Sequence, residues 1–224
     1  MKVNSIYPMI QGEGTNAGGV QIMLRLQGCP LRCNFCDTAY AQDINSGTEM
    51  TVDDIARALH KHKNIKWLDI SGGEPLLQAT ELAELIILAQ GKYRIEVETS
   101  GFLPPPGWWA FVTTWVVDWK TPSSGVESKA IGKWKKILTY KDSIKFVVQD
   151  EYDLTFAKKK ARSIEKPTVL VSPVIWDIKE NDGGITIGKE QFEWMRKVAQ
   201  FCQENNFRLS LQQHKLLWGE KKDV

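Results

Sequence analysis

Short apolar runs alternate with helical patterns along most of the chain, and this alternation limits the fold more than any other feature. Val20 to Leu26 (VQIMLRL) reads as a strand. Thr51 to His62 (TVDDIARALHKH) reads as a helix, with Thr51 as N-cap, Asp54 three residues on, and Val52, Ile55, Ala56 and Leu59 on one face. KWLDI (Lys66 to Ile70) is a second strand. In ATELAELIILAQG, Leu82, Leu85, Ile86 and Ala89 fall in helical register and Gly91 supplies the stop. YRIEVET, TTWVVDWK, SIKFVV and TVLVSPV read as further strands. A basic helix over 152–164 and a last helix over 189–205 follow, the latter feeding RLSLQQ. Strands alternating with helices imply βαβ units and parallel pairing. Roughly six or seven strands fall short of the eight that close a barrel. The expected α/β fold is therefore an incomplete βα barrel of about six parallel strands, or an open sheet, in one domain over residues 1–224. In either form the chemistry belongs at the C-terminal ends of the strands.

Composition excludes several classes. A formal net charge of +2 gives no broad basic field for nucleic acid. A mean hydropathy of -0.30 and the lack of a long apolar run argue against a membrane span. The start, MKVNSIYPMIQGEG, has no apolar signal region, and four cysteines are too few for a disulfide scaffold, so a cytoplasmic chain is expected.

Three of those cysteines, Cys29, Cys33 and Cys36, are spaced C-x3-C-x2-C directly after the first strand. Three thiolates on one short loop can face a soft metal centre. A structural zinc site wants four ligands, and the fourth cysteine, Cys202, shares the apolar face of the last helix with Phe192, Met195 and Ala199, where packing is its expected role. A redox pair needs only C-x2-C. The third reading is a [4Fe–4S] cluster on three cysteines, whose fourth iron stays open for a substrate or cofactor.

The C-x3-C-x2-C motif, with Phe35 before its last cysteine, resembles the radical S-adenosylmethionine superfamily. SGGEP (Ser71 to Pro75) after the second strand and ETSG (Glu98 to Gly101) after the third match further segments of that superfamily. Within it, YPMIQGEGTNAGG, RLQGCPLRCNFCDT and HKLLW (His214 to Trp218) resemble the 7-carboxy-7-deazaguanine synthases, over a span from Ile6 to Trp218.

The resemblance implies a residue-by-residue site. Cys29, Cys33 and Cys36 would hold the cluster. Phe35, Cys36 and Asp37 would run along the adenine of the cofactor. Gly72 and Gly73 would let backbone approach its methionine, with Glu74 fixing local charge, and Gly101 would permit close approach after the next strand. Ser143 and Lys145, with Asp118 and Lys120, would reach its ribose or carboxylate. The substrate edge would be read by Ile10, Gln11 and Gly12, with Glu13 beside them, and by the Thr99 hydroxyl. Arg25 is a charge in an otherwise apolar strand; a structural ion pair or a substrate carboxylate can satisfy it. Thr38 would ligate Mg²⁺, which prefers oxygen and would need the substrate to complete its shell. His214 and Lys215 can close the far side of the pocket, and the polar tail GEKKDV is expected to be loose.

The implied reaction converts 6-carboxy-5,6,7,8-tetrahydropterin into 7-carboxy-7-deazaguanine with loss of ammonia. A 5′-deoxyadenosyl radical takes hydrogen from C6 and later returns it. The implied partners are the small pterin, an electron donor such as flavodoxin, and a second copy in a homodimer. Two alternatives stay open. One is an activating enzyme for glycyl-radical proteins, which shares the cysteine motif. The other is a small metal-binding interaction module that shows its nine tryptophans as a partner surface.

Overall fold

The computed structural model describes residues 1–181, 184–219 and 221–223. It opens with a hairpin that the sequence pattern did not reveal. Strand β1 (Lys2–Ile10) turns back into β2 (Val20–Leu26) in antiparallel register, Ile10 against Val20 and Val3 against Leu26. Strand β1 contains Pro8, which is tolerated because β3 (Thr48–Glu49) covers only Lys2 and Val3 and leaves the rest of β1 as an edge.

From there strands and helices alternate as expected. In order come α1 (Val52–His60), β4 (Trp67–Gly72), α2 (Ala79–Ala89), β5 (Arg94–Thr99), β6 (Thr114–Asp118), α3 (Ile131–Ile137), β7 (Ser143–Val148), α4 (Glu151–Ala161) and β8 (Thr168–Pro173). A second hairpin, β9 (Ile178–Asn181) with β10 (Gly184–Ile187), precedes α5 (Lys189–Asn205), the short β11 (Arg208–Leu209) and α6 (Gln213–Trp218). The nine-stranded sheet has the order β11-β8-β7-β6-β5-β4-β2-β1-β3. All pairings from β2 to β11 are parallel, and no ladder closes one end onto the other among the described residues. The partial-barrel α/β expectation holds, with six longer parallel strands and β11 as a two-residue seventh.

Local chemistry explains the elements. At the start of α1 the Thr51 hydroxyl accepts from Asp54 N at 3.1 Å and the Asp54 carboxylate accepts from Thr51 N at 3.0 Å, the reciprocal pair that satisfies two free helix-end donors. On the helix side of the sheet, Ile22, Leu24 and Leu26 pack with Ile55, Leu59, Leu82 and Ile86, all essentially solvent-free. Each such side chain contributes roughly 1.5–3 kcal/mol by leaving water. Trp115 and Trp134 are fully buried here with ring centroids 4.8 Å apart, so they are core rather than partner surface. Cys202 is buried in the same core.

Parallel strands with helices on them usually read as continuous apolar runs. Here one face alternates to polar: Gln21 and Arg25 on β2, Asp69 on β4, Glu96 and Glu98 on β5, Lys145 on β7. The concave side of the sheet is consequently lined with charge. Among the described residues no helix is long and apolar enough to cross a membrane.

Candidate active site

A cavity of about 290 Å³ opens at the C-terminal ends of the parallel strands. The loop after β2 forms one wall and is tied down by backbone. Gly28 N donates to Ala41 O at 2.8 Å and Cys29 N to Gln42 O at 3.0 Å, while the buried Gln27 amide donates to Tyr40 O and Asp43 O. Asn34 N donates to Ser124 O at 3.0 Å and so joins this loop to the one after β6. Cys29, Cys33 and Cys36 are all free, half-buried thiols lining the cavity. At least one pair of their sulfurs lies more than 4.8 Å apart, wider than the roughly 3.8 Å spanned by thiolates on one tetrahedral zinc. Burial pushes the Cys29 and Cys33 thiols up from their ordinary range, with Lys120 opposing the shift at Cys33.

The loop after β4 packs directly beneath. Gly73 N donates to Leu26 O at 3.0 Å and Glu74 N to Gly28 O at 2.8 Å; a methyl group on Gly73 would collide with the Gly28 carbonyl. Glu74 is fully buried and is not part of the cavity lining. Its carboxylate accepts from Thr99 Oγ1 at 2.8 Å, Ser100 N at 2.9 Å, Ser100 Oγ and Leu76 N at 3.1 Å. Glu74 thereby fastens the loop after β5 to the loop after β4.

Arg25 lines the cavity and forms no ion pair among the described residues. Its Nη2 donates to the Tyr7 hydroxyl at 3.0 Å, its guanidinium carbon lies 5.8 Å from the centre of the Tyr40 ring, and its Nε has no partner. Opposite stands Lys145, whose Nζ is 2.9 Å from Glu13, 3.5 Å from Glu98 and 3.5 Å from Asp118. Burial works against its charge, but Asp118, Glu13 and Glu98 outweigh that and raise its pKa well above the usual lysine range. The far wall comes from α6. The Gln212 amide donates to Asp37 at 2.7 Å, Lys215 Nζ lies 3.7 Å from the same carboxylate, and Gln213 N donates to Gly12 O at 3.1 Å. A side chain at residue 12 would run into His214, so only glycine lets this helix seat. Burial opposes ionisation of Asp37, yet Lys215, the Thr38 hydroxyl, His214 and Gln212 hold its carboxyl down at about 2.

Comparison with known proteins is decisive at this point. Residues 10–102 match the family model described as a 4Fe-4S single cluster domain. A 7-carboxy-7-deazaguanine synthase from Pyrobaculum aerophilum is 30% identical over 223 residues, covering 98% of this chain and 95% of that one. Those from Clostridium acetobutylicum (31%, 99% and 97%) and Koribacter versatilis (32%, 97% and 97%) are similar over the same span. The chain belongs to the 7-carboxy-7-deazaguanine synthase family. Its fold resembles that of QueE from Escherichia coli, with a TM-score of 0.68 at 21% identity over 94% of this chain and 92% of that one. It also resembles Streptococcus suis SuiB bound to S-adenosylmethionine, with a TM-score of 0.56 at 16% identity over 83% of this chain and 48% of that one.

Most residues singled out from the motifs of this synthase family meet in the cavity. Ile10, Gln11, Gly12, Glu13, Arg25, Phe35, Asp37, Thr38, Gly72, Gly73, Thr99 and Lys145 line it with the three cysteines, as do Asp118, Lys120, His214 and Lys215. Three do not. Glu74 and Gly101 lie behind the lining, Glu74 because its carboxylate is taken by the β5 loop, Gly101 because its carbonyl accepts from Ala130 N. Ser143 is the first residue of β7, at the strand end away from the cysteines and fully buried. Ser143 therefore lies outside the cavity lining, whereas Lys145, two residues further along β7, is part of it.

Sequence reasoning missed Tyr7, Tyr40, Glu98 and Gln212. Tyr7 sits in the unrecognised β1, and Gln212 meets Asp37 across 175 residues. The tail, expected to be loose, crosses the cavity mouth: Lys222 Nζ lies 4.3 Å from the centre of the Tyr40 ring and Asp223 accepts from Ser5 Oγ at 2.8 Å. Glu220 and Val224 lie outside the described residues.

Proposed function

We propose that the whole chain works as one radical S-adenosylmethionine core that converts 6-carboxy-5,6,7,8-tetrahydropterin into 7-carboxy-7-deazaguanine with release of ammonia, a step of 7-deazapurine and queuosine biosynthesis. Family membership carries the reaction class. The observation that carries the substrate is Arg25, a guanidinium facing the cavity that, among the described residues, has no ion-paired carboxylate and an Nε without a partner. A charge desolvated in this way needs an anion, and a carboxylate matches its fork of donors.

The donor set suits the groups this chemistry needs. Cys29, Cys33 and Cys36 offer three thiolates and no fourth, since Cys202 is in the core. When bound, a [4Fe–4S] cluster and S-adenosylmethionine supply the 5′-deoxyadenosyl radical that exchanges a hydrogen with C6 of the pterin. The chain does the rest. Main chain at Gly72 and Gly73 would leave room for a methionine moiety, and Phe35 and Asp37 would border the adenine. Arg25, steadied by Tyr7, orients the carboxylate. The stretch Ile10 to Glu13 offers main-chain groups to the pyrimidine edge, and Thr99 presents its hydroxyl in the position set by Glu74. Lys145 offsets part of the negative charge of Glu13, Glu98 and Asp118 on that side of the pocket, and α6 closes the far wall.

Thr38 fits a shared Mg²⁺ only in part: one neutral hydroxyl, donating to Asp37 at 2.9 Å, offers a single oxygen, so substrate and water oxygens would complete the shell. A reducing partner such as flavodoxin, and action as a homodimer in the cytoplasm, belong to the same proposal and rest on the family resemblance.

The test compares two pterins in anaerobic turnover, 6-carboxytetrahydropterin and the analogue without the carboxylate. Wild-type protein should give product only from the first, and Arg25→Gln should turn over neither. Equal turnover of both pterins by wild type would remove the carboxylate reading.

A further inference from the structure

Beneath the cavity, with Glu98 at its edge, the polar side of the sheet holds an acidic cluster to which the proposed reaction assigns no role. Asp69 and Glu96 have no solvent exposure, and with Glu98 they bring one carboxylate oxygen each to within 4.8 Å of one another. Their shared donor is Gln11 Nε2, at 3.3 Å from Asp69 Oδ2, 2.7 Å from Glu96 Oε1 and 3.2 Å from Glu98 Oε1. One amide has two hydrogens, so three carboxylates cannot be satisfied by it. Asn16 adds a hydrogen bond to Glu96. Of the nearby cations, Lys145 is shared among Glu98 at 3.5 Å, Glu13 and Asp118, and Arg25 donates to Tyr7. On this side of the sheet Glu13, Asp69, Glu96, Glu98 and Asp118 face Arg25, Lys120 and Lys145, which leaves an excess of two negative charges out of water.

A separate observation points to a ligand. Gln21 is 1% exposed, and neither its amide nitrogen nor its amide oxygen has a partner. On β2 its neighbours Ile22 and Leu24 enter the helix-side core, whereas Met23 and Arg25 line the cavity, so Gln21 shares the concave face. Met23 is the register partner of Asp69 in the parallel β2–β4 ladder, so Gln21, two residues before Met23, lies on the same face of the sheet as Asp69 and one diagonal step away. Asp69 Oδ1 is itself without a partner. Buried polar groups are normally paired with protein, water or an ion.

We propose that Asp69, Glu96, Glu98 and Gln21 form a buried site for one hard divalent cation, separate from any metal at Thr38. All four offer oxygen, the donor that Mg²⁺, Mn²⁺ and Ca²⁺ select. A divalent ion would cancel the excess charge. Through Gln11 it would also fix the Gln11–Gly14 turn whose backbone borders the cavity. Without a cation the cluster keeps protons instead: burial, then Glu98, push the Glu96 carboxyl up to about 7.

The experiment is a Mn²⁺ titration of cluster-loaded, EDTA-dialysed protein without substrate, following free Mn²⁺ by its EPR signal. It needs no turnover, so its outcome is independent of the proposed reaction. Wild type should bind Mn²⁺ at one per chain, Thr38→Ala should bind it equally, and Asp69→Asn and Gln21→Met should each weaken it by about tenfold or more. Gln21→Met removes the ligand without adding or deleting charge and guards against a folding defect at Asp69. Absence of stoichiometric binding at millimolar Mn²⁺ would overturn the proposal, as would a site lost in Thr38→Ala and kept in both floor variants; in that case the orphaned atoms bind only water.

Discussion

The Thr99 hydroxyl donates a 2.8 Å hydrogen bond to Glu74, and through it the loop after one strand sets a side chain that the next strand presents to the cavity. A glutamate expected to touch the cofactor instead positions its neighbours. All four partners of its carboxylate are donors: Thr99 Oγ1, Ser100 N, Ser100 Oγ and Leu76 N. Glu74→Gln turns one oxygen into a donor that faces donors. The expected loss is about 2–4 kcal/mol of stability, read from the denaturant midpoint, with a raised KM for the pterin. A purely cofactor-binding glutamate would leave the midpoint unchanged.

Arg25→Lys keeps the charge but loses the planar fork. Turnover per bound pterin should fall, with kcat/KM down by about a hundredfold, and Tyr7→Phe should cost about tenfold by freeing the guanidinium. Cluster content in both variants should match wild type. Steady-state kinetics with iron analysis reads both quantities.

Lys145 is hemmed in by Glu13, Glu98 and Asp118, so Lys145→Met strands three carboxylates in a dry site. The expected loss is about 3–5 kcal/mol. Glu13→Gln added to Lys145→Met should recover part of it, since the pair then loses its charges together. A double-mutant cycle in thermal or chemical denaturation measures the coupling.

The Glu96 carboxyl is raised from 4.5 to about 7, chiefly by burial and then by Glu98, so the native state holds a proton that the unfolded chain releases earlier. With the native state binding more protons, stability falls as pH rises, over the window from about 4.5 to 7. In EDTA, Glu96→Gln should therefore gain melting temperature over wild type, by about 2–6 °C at pH 8 and progressively less toward pH 5. An advantage that is flat with pH would contradict the shift.

Cys202 lies in the hydrophobic core under α5, remote from the cysteine loop. Cys202→Ala should retain the brown colour and about four irons per chain, whereas Cys33→Ala should lose both. Anaerobic absorption spectra and iron analysis decide it.

Much of the fold was legible because it is locally encoded. The capping box of Thr51 and Asp54 marks α1, the period of Leu82, Leu85, Ile86 and Ala89 marks α2, and the motif loops fall directly after their strands. Strand β1 was not legible, since Lys2–Ile10 contains a proline and gains its identity only by pairing with β2. The same holds for the hairpin of β9 and β10. In the site, residues carried by contiguous motifs were found, while those defined by long-range contact were not. Tyr7 matters only against Arg25, Gln212 only against Asp37, and Glu74 changes role because the hydroxyls of the next loop reach it first. Alternation in VQIMLRL and RIEVET encodes the polar face of the sheet, yet the sequence reading singles out only Arg25 there, because buried parallel strands ordinarily read as apolar on both faces.

The most direct measurement is mass spectrometry of an anaerobic turnover mixture holding cluster-loaded protein, S-adenosylmethionine, a reductant, Mg²⁺ and 6-carboxytetrahydropterin. The predicted result is 7-carboxy-7-deazaguanine with one ammonia released per product, both absent with Cys33→Ala. Accumulation of 5′-deoxyadenosine with the pterin left intact would keep the radical chemistry and contradict the substrate.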